Sequence, residues 1–286
     1  MKESTAQKLV YVAVALIALV FGISIGNTGG GKTSEGVPAL FSDEADAPAC
    51  NIALIRLQGG LATYYDTYSD PSDPNSYNQG TTVDSEQLVS EIEGAGASSS
   101  IDAIVLQIDS NGGSPVAAEE VANALKRVNK PTVALIRGQG LSAAYWSATG
   151  ANTIFAAENA EVGSIGVTSS YIDQTKRNSK DGYTFHSIST GAYKDMLNSN
   201  KDLTGPEEKM IREEIAVILD NFIRTVKTNR HLSELSTSSE LTSGAPFTAP
   251  YALEHGLIDR IGDKESVRSY LSTELKKPKQ EMIYCQ

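Results

Sequence analysis

The sequence predicts an α/β fold in which helices surround a parallel sheet. Short apolar runs alternate with helical segments between residues 52 and 156. Four of these runs have the length and composition of buried strands, namely residues 52–57, 103–108, 132–136 and 153–156. Because successive strands joined by a helix pair through right-handed crossovers, this alternation favours parallel pairing.

The helical segments follow from apolar spacing and from capping residues. Residues 84–92 have helical character, and a helix after Pro115 is predicted to end at Lys130 and Pro131. A helix of small residues is expected over 142–151, whereas the Tyr-, Ser-, Asp- and Pro-rich residues 61–82 predict a loop.

A longer helix is predicted to begin after Thr204. Thr204 is a suitable N-cap, Pro206 suits the first turn, and Glu207 suits the positive end of the helix. An apolar stripe then extends over about four turns, formed by Ile211, Ile215, Ile218, Leu219, Phe222 and Val226. We expect this stripe to pack against the sheet or against a neighbouring subunit.

Composition limits the protein classes that this chain can belong to. Its 286 residues are 40% hydrophobic, 7% aromatic and 21% charged, which is ordinary for a globular protein and excludes disordered, collagen-like and multispan membrane proteins. Residues 1–34 carry a formal charge of +2, whereas residues 35–286 carry −13 of the total of −11. The acidic part should repel nucleic acids, so no nucleic-acid partner is expected.

Cysteines and histidines are too sparse for the commonest metal and disulfide-rich classes. Cys50 and Cys285 are the two cysteines, and three histidines, His186, His231 and His255, are scattered singly. We therefore expect neither a metal site nor a cofactor. In an extracytoplasmic domain the two cysteines could form a disulfide, but two unrelated thiols fit the sequence equally well.

An uncharged apolar run over residues 9–26 predicts a single transmembrane helix, because its helical length nearly crosses a hydrocarbon core of about 30 Å. A cleaved signal peptide is the alternative, but its apolar run is usually only ~7–15 residues and is followed by an A-x-A site that is absent here. The resulting organisation has a cytoplasmic stub at 1–8, a flexible linker at 27–49, a folded domain at 50–273 and a solvated tail at 274–286.

Lysines on the N-terminal side of that run set its expected orientation. Lys2 and Lys8 precede the apolar run, so the positive-inside rule places the stub in the cytoplasm. The acidic folded domain is then expected on the outer side of a cell membrane that the chain crosses once.

Two glycine-containing turns follow predicted strands, where ligands bind in parallel sheets. In residues 109–115, Gly112 and Gly113 let main-chain N–H groups point outward, as an oxyanion hole requires, although a plain strand-to-helix turn fits equally well. In residues 137–145, Ser142 begins a helix of small residues. Ser142 is either a helix cap or a nucleophile that needs a base.

Lys194 is a candidate for that base, although most lysines are simply solvated. A lysine amine accepts a proton only when it is unprotonated, which requires an apolar environment that depresses its pKa from about 10.4. No histidine stands in a setting with an obvious aspartate partner.

Seven blocks in order resemble the signal peptide peptidase A family of serine proteases, which share the crotonase and Clp protease fold. They are residues 52–59, 109–115, 142–145 (SAAY), 162–167 (VGSIGV), 191–194 (GAYK), the helix from 204, and 252–262. The match spans about residues 50–270, and 52 residues separate Ser142 from Lys194. The chain corresponds to the short form, with one copy of the catalytic unit.

The resemblance implies a role for each matching residue. Ser142 corresponds to the nucleophile, Lys194 to the general base and Ser164 to the serine that orients the lysine, while the N–H of Gly112 or Gly113 would stabilise the oxyanion. This chain departs from the family in having Ala143 and Ala144 where glycines are usual, and Asn111 where proline is usual. Added methyl groups beside the serine affect the expected substrate preference more than the mechanism.

The resemblance also implies a membrane-anchored serine endopeptidase that hydrolyses cleaved signal peptides or other membrane-associated peptides. Short members form homo-oligomeric rings in which the serine of one subunit meets the lysine of its neighbour. Two alternatives remain: a catalytically silent peptide-binding scaffold of the same fold, and a crotonase-type acyl-CoA enzyme. The acidic charge and the predicted anchor count against the acyl-CoA enzyme.

Overall fold

The strands of the main sheet follow the predicted apolar runs. The computed structural model describes residues 50–64, 82–233, 235 and 240–285. The predicted stub, anchor and linker lie outside these residues. Within the described ranges, no helix is both long and apolar enough to cross a membrane.

The sheet is mainly parallel, which confirms the predicted α/β class with surrounding helices. Its described strands are β1 (Ile52–Gln58), β4 (Ala103–Ser110), β5 (Thr132–Leu141), β6 (Thr153–Ala156), β7 (Glu161–Gly163), β8 (Pro246–Thr248), β9 (Arg260–Ile261) and β10 (Tyr284–Cys285). Their order is β10-β1-β4-β5-β6-β9, with β7 added beside the end of β5. Only the β7–β8 pair within these described strands is antiparallel.

The helices predicted at 84–92, after Pro115, at 142–151 and after Thr204 are present among the seven α-helices of the described ranges. The seven are α1 (Ser85–Ala97), α2 (Pro115–Arg127), α3 (Ala143–Ala148), α4 (Thr175–Lys180), α5 (Gly205–Arg230), α6 (Ala249–Glu254) and α7 (Lys264–Glu274). Helix α5 confirms the predicted start, because Thr204 and Glu207 form a reciprocal capping box. Its apolar stripe is buried at Phe222 and Val226 but only half-buried in the first half of the helix.

Alternating side chains place a core on each face of the sheet. The larger core lies under α1, α2 and α3 and includes Leu57, Leu106 and Ile136. The smaller core includes Val105 and Leu135 and packs against α7 and the C-terminal segment. The sheet is therefore covered on both sides, as expected for parallel strands.

Strand β5 extends beyond its predicted end and replaces most of the second predicted turn. It continues through residues 137–141 because β7 supplies a new parallel partner where β6 ends. A register irregularity between Ile108 and Ser110 adjusts the neighbouring β4. The predicted helix over 142–151 is correspondingly short and covers Ala143–Ala148.

Two segments that were predicted to be irregular also contribute strands. At the edges of the predicted loop, β2 (Gly60–Ala62) and β3 (Thr82–Asp84) form a two-stranded parallel sheet. The C-terminal tail is not wholly solvated, because β10 pairs with β1 and the Met282 side chain is buried in the smaller core. The tail was predicted to be solvated because of the basic residues at 276–279, and the apolar residues after them were not recognised as strand and core residues.

A disulfide joins the first strand of the domain to the last. Cys50, just before β1, is bonded to Cys285 in β10, across a sequence separation of 235 residues. The structure thus selects the paired state of the two alternatives that the sequence left open. The bond closes almost the whole folded domain into one loop, which restricts the unfolded chain strongly.

Candidate active site

Ser142 occupies a strained turn between β5 and α3. Its backbone has φ 52° and ψ −124°, a left-handed φ that is uncommon for residues other than glycine. The turn is held by a bond from the Ser142 N–H to the Gly163 carbonyl at 2.8 Å and by one from the Trp146 N–H to the Ser142 carbonyl at 2.9 Å. Strain of this kind persists where the surroundings fix the backbone, and it is typical of functional sites.

Helix α3 is fixed firmly behind that turn. All six of its residues are buried, and the Tyr145 hydroxyl donates to the Leu257 carbonyl at 2.8 Å. The Ser142 side chain does not cap the helix. Among the described residues the Ser142 hydroxyl has no hydrogen-bond partner, so it is available for another molecule.

The glycine pair after β4 lies directly against Ser142. A Cβ added to Gly112 would be 2.8 Å from the Ser142 Cβ, and the φ of 115° at Gly112 also favours glycine. Gly113 has φ 153°, and its neighbours are bonded to Leu61: the Leu61 N–H donates to Gly112, and the Ser114 N–H donates to Leu61. Close backbone packing therefore requires both glycines.

Main-chain N–H groups beside Ser142 differ in whether they are already bonded. The Gly112 N–H donates to the Ser110 hydroxyl at 3.2 Å. In the described part of the chain, neither the Gly113 N–H nor the Ala143 N–H has an acceptor. The geometry therefore favours Gly113 over Gly112 as the oxyanion donor and adds Ala143, which the sequence analysis did not identify as a donor.

A cavity of about 570 Å³ opens at Ser142 and is lined by Gly113, Ala143 and Ser164. One wall is apolar: Trp146 and Phe222 stack with ring centroids 4.7 Å apart, and Ile218 and Leu219 of α5 lie beside them. The size and the apolar lining suit a substrate side chain.

Ser164 is the second serine in this cavity and also has a left-handed backbone, with φ 51°. Its hydroxyl donates to the Gly244 carbonyl at 2.9 Å, and its N–H donates to Ala245 at 3.0 Å. These bonds hold residues 243–244 against the cavity, which they help to line. The structure thus brings Ser142, Ser164 and Gly113 together.

Lys194 is not among the residues that line this cavity. It is exposed and lies in an irregular segment after Gly191, and the Lys194 N–H donates to the Gly191 carbonyl at 3.2 Å. Within the described residues, its ammonium has no hydrogen-bond or ion-pair partner. A single chain therefore presents the predicted nucleophile and the predicted base separately.

Lys201, seven residues after Lys194, ties that segment to α5. Its ammonium is 3.1 Å from an Asp195 oxygen and 2.6 Å from a Glu207 oxygen. Hydrogen bonding to Glu207 and then to Asp195 raises the pKa of Lys201, and the Lys201 bond is the main cause that lowers the pKa of Glu207. This ion cluster was missed from the sequence, where only the capping role of Glu207 was visible.

No group of three or more His, Cys, Asp or Glu side chains suited to a metal ion occurs in the described ranges. At Ser142 the structure presents a hydroxyl and main-chain N–H groups.

Comparison with known proteins identifies the family. Residues 124–277 match the model of peptidase family S49, which covers more than half of the chain. The chain belongs to peptidase family S49. The matched region includes Ser142, Ser164 and Lys194, whereas the glycine pair precedes it.

Individual relatives of this S49 protein carry protease names. A protein of Enterococcus faecium provisionally named signal peptide peptidase SppA is 24% identical over 252 residues, which is 87% of this chain and 71% of that protein. The chloroplastic serine protease SPPA of Arabidopsis thaliana is 28% identical over 74% of this chain, and protease 4 of Haemophilus influenzae is 27% identical over 78%. These matches cover only 30% and 38% of the latter two proteins. The resemblance to signal peptide peptidase A proteases is confirmed.

Proposed function

We propose that this S49 protein is a membrane-anchored serine endopeptidase that uses Ser142 as nucleophile and Lys194 of a neighbouring copy as general base. The observation that carries the proposal is the Ser142 turn. The strained serine has a hydroxyl with no hydrogen-bond partner among the described residues, and it stands beside two main-chain N–H groups that also lack an acceptor there, at the mouth of a cavity with one apolar wall.

The proposed reaction proceeds through an acyl-enzyme. The Lys194 amine takes the Ser142 proton as the hydroxyl oxygen attacks the peptide carbonyl carbon, and the Gly113 and Ala143 N–H groups stabilise the resulting oxyanion. The lysine then returns the proton to the leaving amine as the peptide bond breaks. A water molecule then attacks the ester carbonyl while the lysine amine takes its proton. The lysine returns that proton to the Ser142 oxygen as the acyl group leaves.

Exposure of the Lys194 segment supports a base supplied between subunits. Large apolar side chains around it are open to solvent: Ile172 is 76% exposed, Tyr183 71% and Ile188 101%. Large apolar side chains that are this exposed occur at surfaces where another protein binds. A second copy that covers this segment would remove water from Lys194, which is the condition a lysine base requires.

Cavity chemistry supports apolar peptides as substrates. Trp146 and Phe222 form its stacked wall, and Ala143 narrows it on the serine side, whereas the Ala144 methyl is fully buried and does not line it. Such a wall accommodates the aliphatic side chains of signal peptides and other membrane segments. The departure from glycine therefore affects the cavity at Ala143 alone.

The disulfide supports an extracytoplasmic location for the folded domain. Disulfides form and persist in oxidising compartments, and Cys50–Cys285 closes the domain. Together with the apolar run at 9–26, the disulfide supports our proposal that the site lies outside the cytoplasm beside the membrane. Anchoring would raise the local concentration of membrane-associated substrate.

A hydrolysis assay tests the catalytic assignment. The full chain in detergent is incubated with a fluorogenic peptide of apolar sequence, and turnover is compared with that of Ser142→Ala and Lys194→Met. We expect each substitution to reduce turnover by at least about 10³-fold, because nucleophile and base act as one unit. Lys209→Met, which removes an exposed lysine of α5, should leave turnover unchanged.

The same assay separates the alternatives. Peptide binding without turnover in the wild type would favour a silent scaffold, and turnover retained in either Ser142→Ala or Lys194→Met would refute the proposed pair. Labelling of wild type but not Ser142→Ala by a fluorophosphonate would support Ser142 as the reactive serine independently of substrate choice.

A further inference from the structure

A second cavity, of about 980 Å³, lies on the opposite face of the sheet from α1–α3. It shares no lining residue with the Ser142 cavity. The smaller core ends at the floor of this cavity. On each of three strands, the last core residue is followed on the same face by a polar residue: Leu54 by Arg56, Val105 by Gln107 and Leu135 by Arg137. Arg56 and Gln107 are paired residues of β1 and β4, whereas on β5 Leu135 is the partner of Gln107 and Arg137 lies two residues beyond it.

These strands are β1, β4 and β5, and the cavity lies at their carboxyl ends. Ligands of parallel sheets bind at this edge. The opposite wall is formed by the start of α7, including Lys264 and Arg268, and by Tyr284 of β10. The volume is in the range of small-molecule sites.

Three of the four cationic side chains of the cavity have no counterion in the described part of the chain. The side chains of Arg56, Arg137 and Lys264 form no ion pair or hydrogen bond with the described residues, and the Lys264 ammonium lies 4.3 Å from the centre of the Tyr284 ring. Burial, together with the charges of Arg56 and Arg137, lowers the pKa of Lys264. The Nε of Arg268 is buried and likewise has no acceptor there.

Acidic residues at the cavity are already engaged. Asp109 accepts the Gln139 N–H at 3.3 Å, and Asp263 caps α7 through Ser266 at 2.9 Å. Glu265 pairs with Arg268 at 2.8 Å and with Lys279 at 2.5 Å. None of these carboxylates is ion-paired with Arg56, Arg137 or Lys264, and the lining holds four cationic side chains against three carboxylates, a small positive excess in a protein whose net charge is −11.

We infer that this cavity binds a small oxyanion with two or more negative charges, a phosphate ester or a polycarboxylate, held by Arg56, Arg137 and Lys264. Guanidinium groups match phosphate and carboxylate oxygens with paired, charge-assisted hydrogen bonds. The Gln107 amide can donate a further bond. The site is independent of the proposed proteolysis, although Arg137 belongs to the strand that ends at Ser142.

Titration calorimetry on the full chain in detergent tests this inference, with pyrophosphate as the phosphate probe and tricarballylate as the carboxylate probe. We expect saturable binding of at least one probe, and the tighter probe identifies the ligand class. Because a charge-assisted bond contributes about 1.5–3 kcal/mol, Arg56→Gln and Arg137→Gln should each weaken binding by about tenfold or more. Arg224→Gln, an exposed arginine of α5, is the charge-matched control and should bind normally.

Two results would overturn the inference: no saturable binding of either probe to the wild type, or equal weakening in Arg224→Gln and the cavity variants. A measurement on the wild type alone guards against variants that fail to fold. The binding probe should raise the unfolding temperature progressively with concentration, whereas sodium chloride of equal ionic strength should not. If sodium chloride raised the unfolding temperature as much as the binding probe does, that result would also contradict the proposed anion site.

Discussion

The Ser142 turn and the Lys194 segment are built in opposite ways. Around Ser142, a buried helix, two glycines and strand β7 fix an unfavourable backbone. Around Lys194, side chains are exposed and regular structure is sparse, with Lys201 as the main tether to α5. The nucleophile half of the proposed site is therefore complete within one chain. The proposed base, Lys194, is exposed and would need a second surface to cover it.

The largest effect is expected from adding a methyl group on the rigid side. Gly112→Ala would place a Cβ 2.8 Å from the Ser142 Cβ and would also strain a φ of 115°. Displacing the serine from its N–H donors should lower turnover by about 10²–10³-fold. Gly94→Ala in α1, where the added Cβ meets nothing within 4 Å, is the matched control. Equal turnover in the two variants would show that the close packing is irrelevant to activity.

Loosening the exposed side should have a smaller effect. Lys201→Met removes the ion pairs to Asp195 and Glu207, so the Lys194 segment is held less firmly. We expect turnover to fall by about 10–100-fold with little change in labelling of Ser142 by fluorophosphonate. Lys209→Met, which breaks an exposed pair with Glu213, should have no effect. Turnover unchanged in Lys201→Met would mean that this tether does not position the base.

Backbone strain at Ser142 should lower the free energy of unfolding, and substitutions at this position can reveal it. Glycine adopts a φ of 52° without cost, so Ser142→Gly should be more stable than Ser142→Ala by about 1 kcal/mol in denaturant unfolding. The order should reverse at Ser147, inside α3, where glycine is less favourable than alanine. If alanine were the better residue at both positions, the turn would not be strained.

The smallest effect is expected when acid protonates Asp195 and Glu207, the two carboxylates that pair with Lys201. Lys201 and Thr204 hydrogen bonds lower the pKa of Glu207, and bonds from Ser187 and Lys201 lower that of Asp195. Depressed carboxyl pKa values mean that this contribution is complete above the unfolded values of about 4 and is lost as pH falls through the folded values. The hydrogen-exchange protection factors, in which the intrinsic pH dependence of exchange has been divided out, should therefore fall in acid more across residues 183–204 than in β4. An equal fall in both regions would contradict a local tether.

The sequence anticipates the regular parts of both regions. Apolar runs located β1, β4 and β6 because buried parallel strands are nearly continuous in hydrophobicity, and Thr204 with Glu207 located the start of α5. The extension of β5 was not predicted, because residues 137–140 contain two glycines and gain their strand geometry from pairing with β7, a strand that comes later in the sequence. Local propensity carries no information about that pairing.

The residues of the candidate site were likewise predicted only in part. Ser142, Ser164 and Gly113 share a cavity because they follow strands whose ends meet, a consequence of topology that glycine spacing suggests. Trp146 and Lys201 were not identified, since an aromatic residue in a helix and a lysine in a loop are ordinary until a stacked wall or an ion cluster places them. In the proposed oligomer, the location of Lys194 relative to Ser142 depends on how the subunits assemble, and local sequence patterns do not encode assembly.

Complementation between two inactive variants tests the central claim most directly. Ser142→Ala and Lys194→Met chains carrying different affinity tags are co-expressed, and mixed oligomers are isolated by tandem purification. If the base comes from a neighbouring copy, an intact serine meets an intact lysine at roughly a quarter of the sites of a randomly mixed ring, and activity is restored accordingly. If each chain uses its own lysine, every site lacks one partner, and mixed oligomers as inactive as either parent would contradict the account.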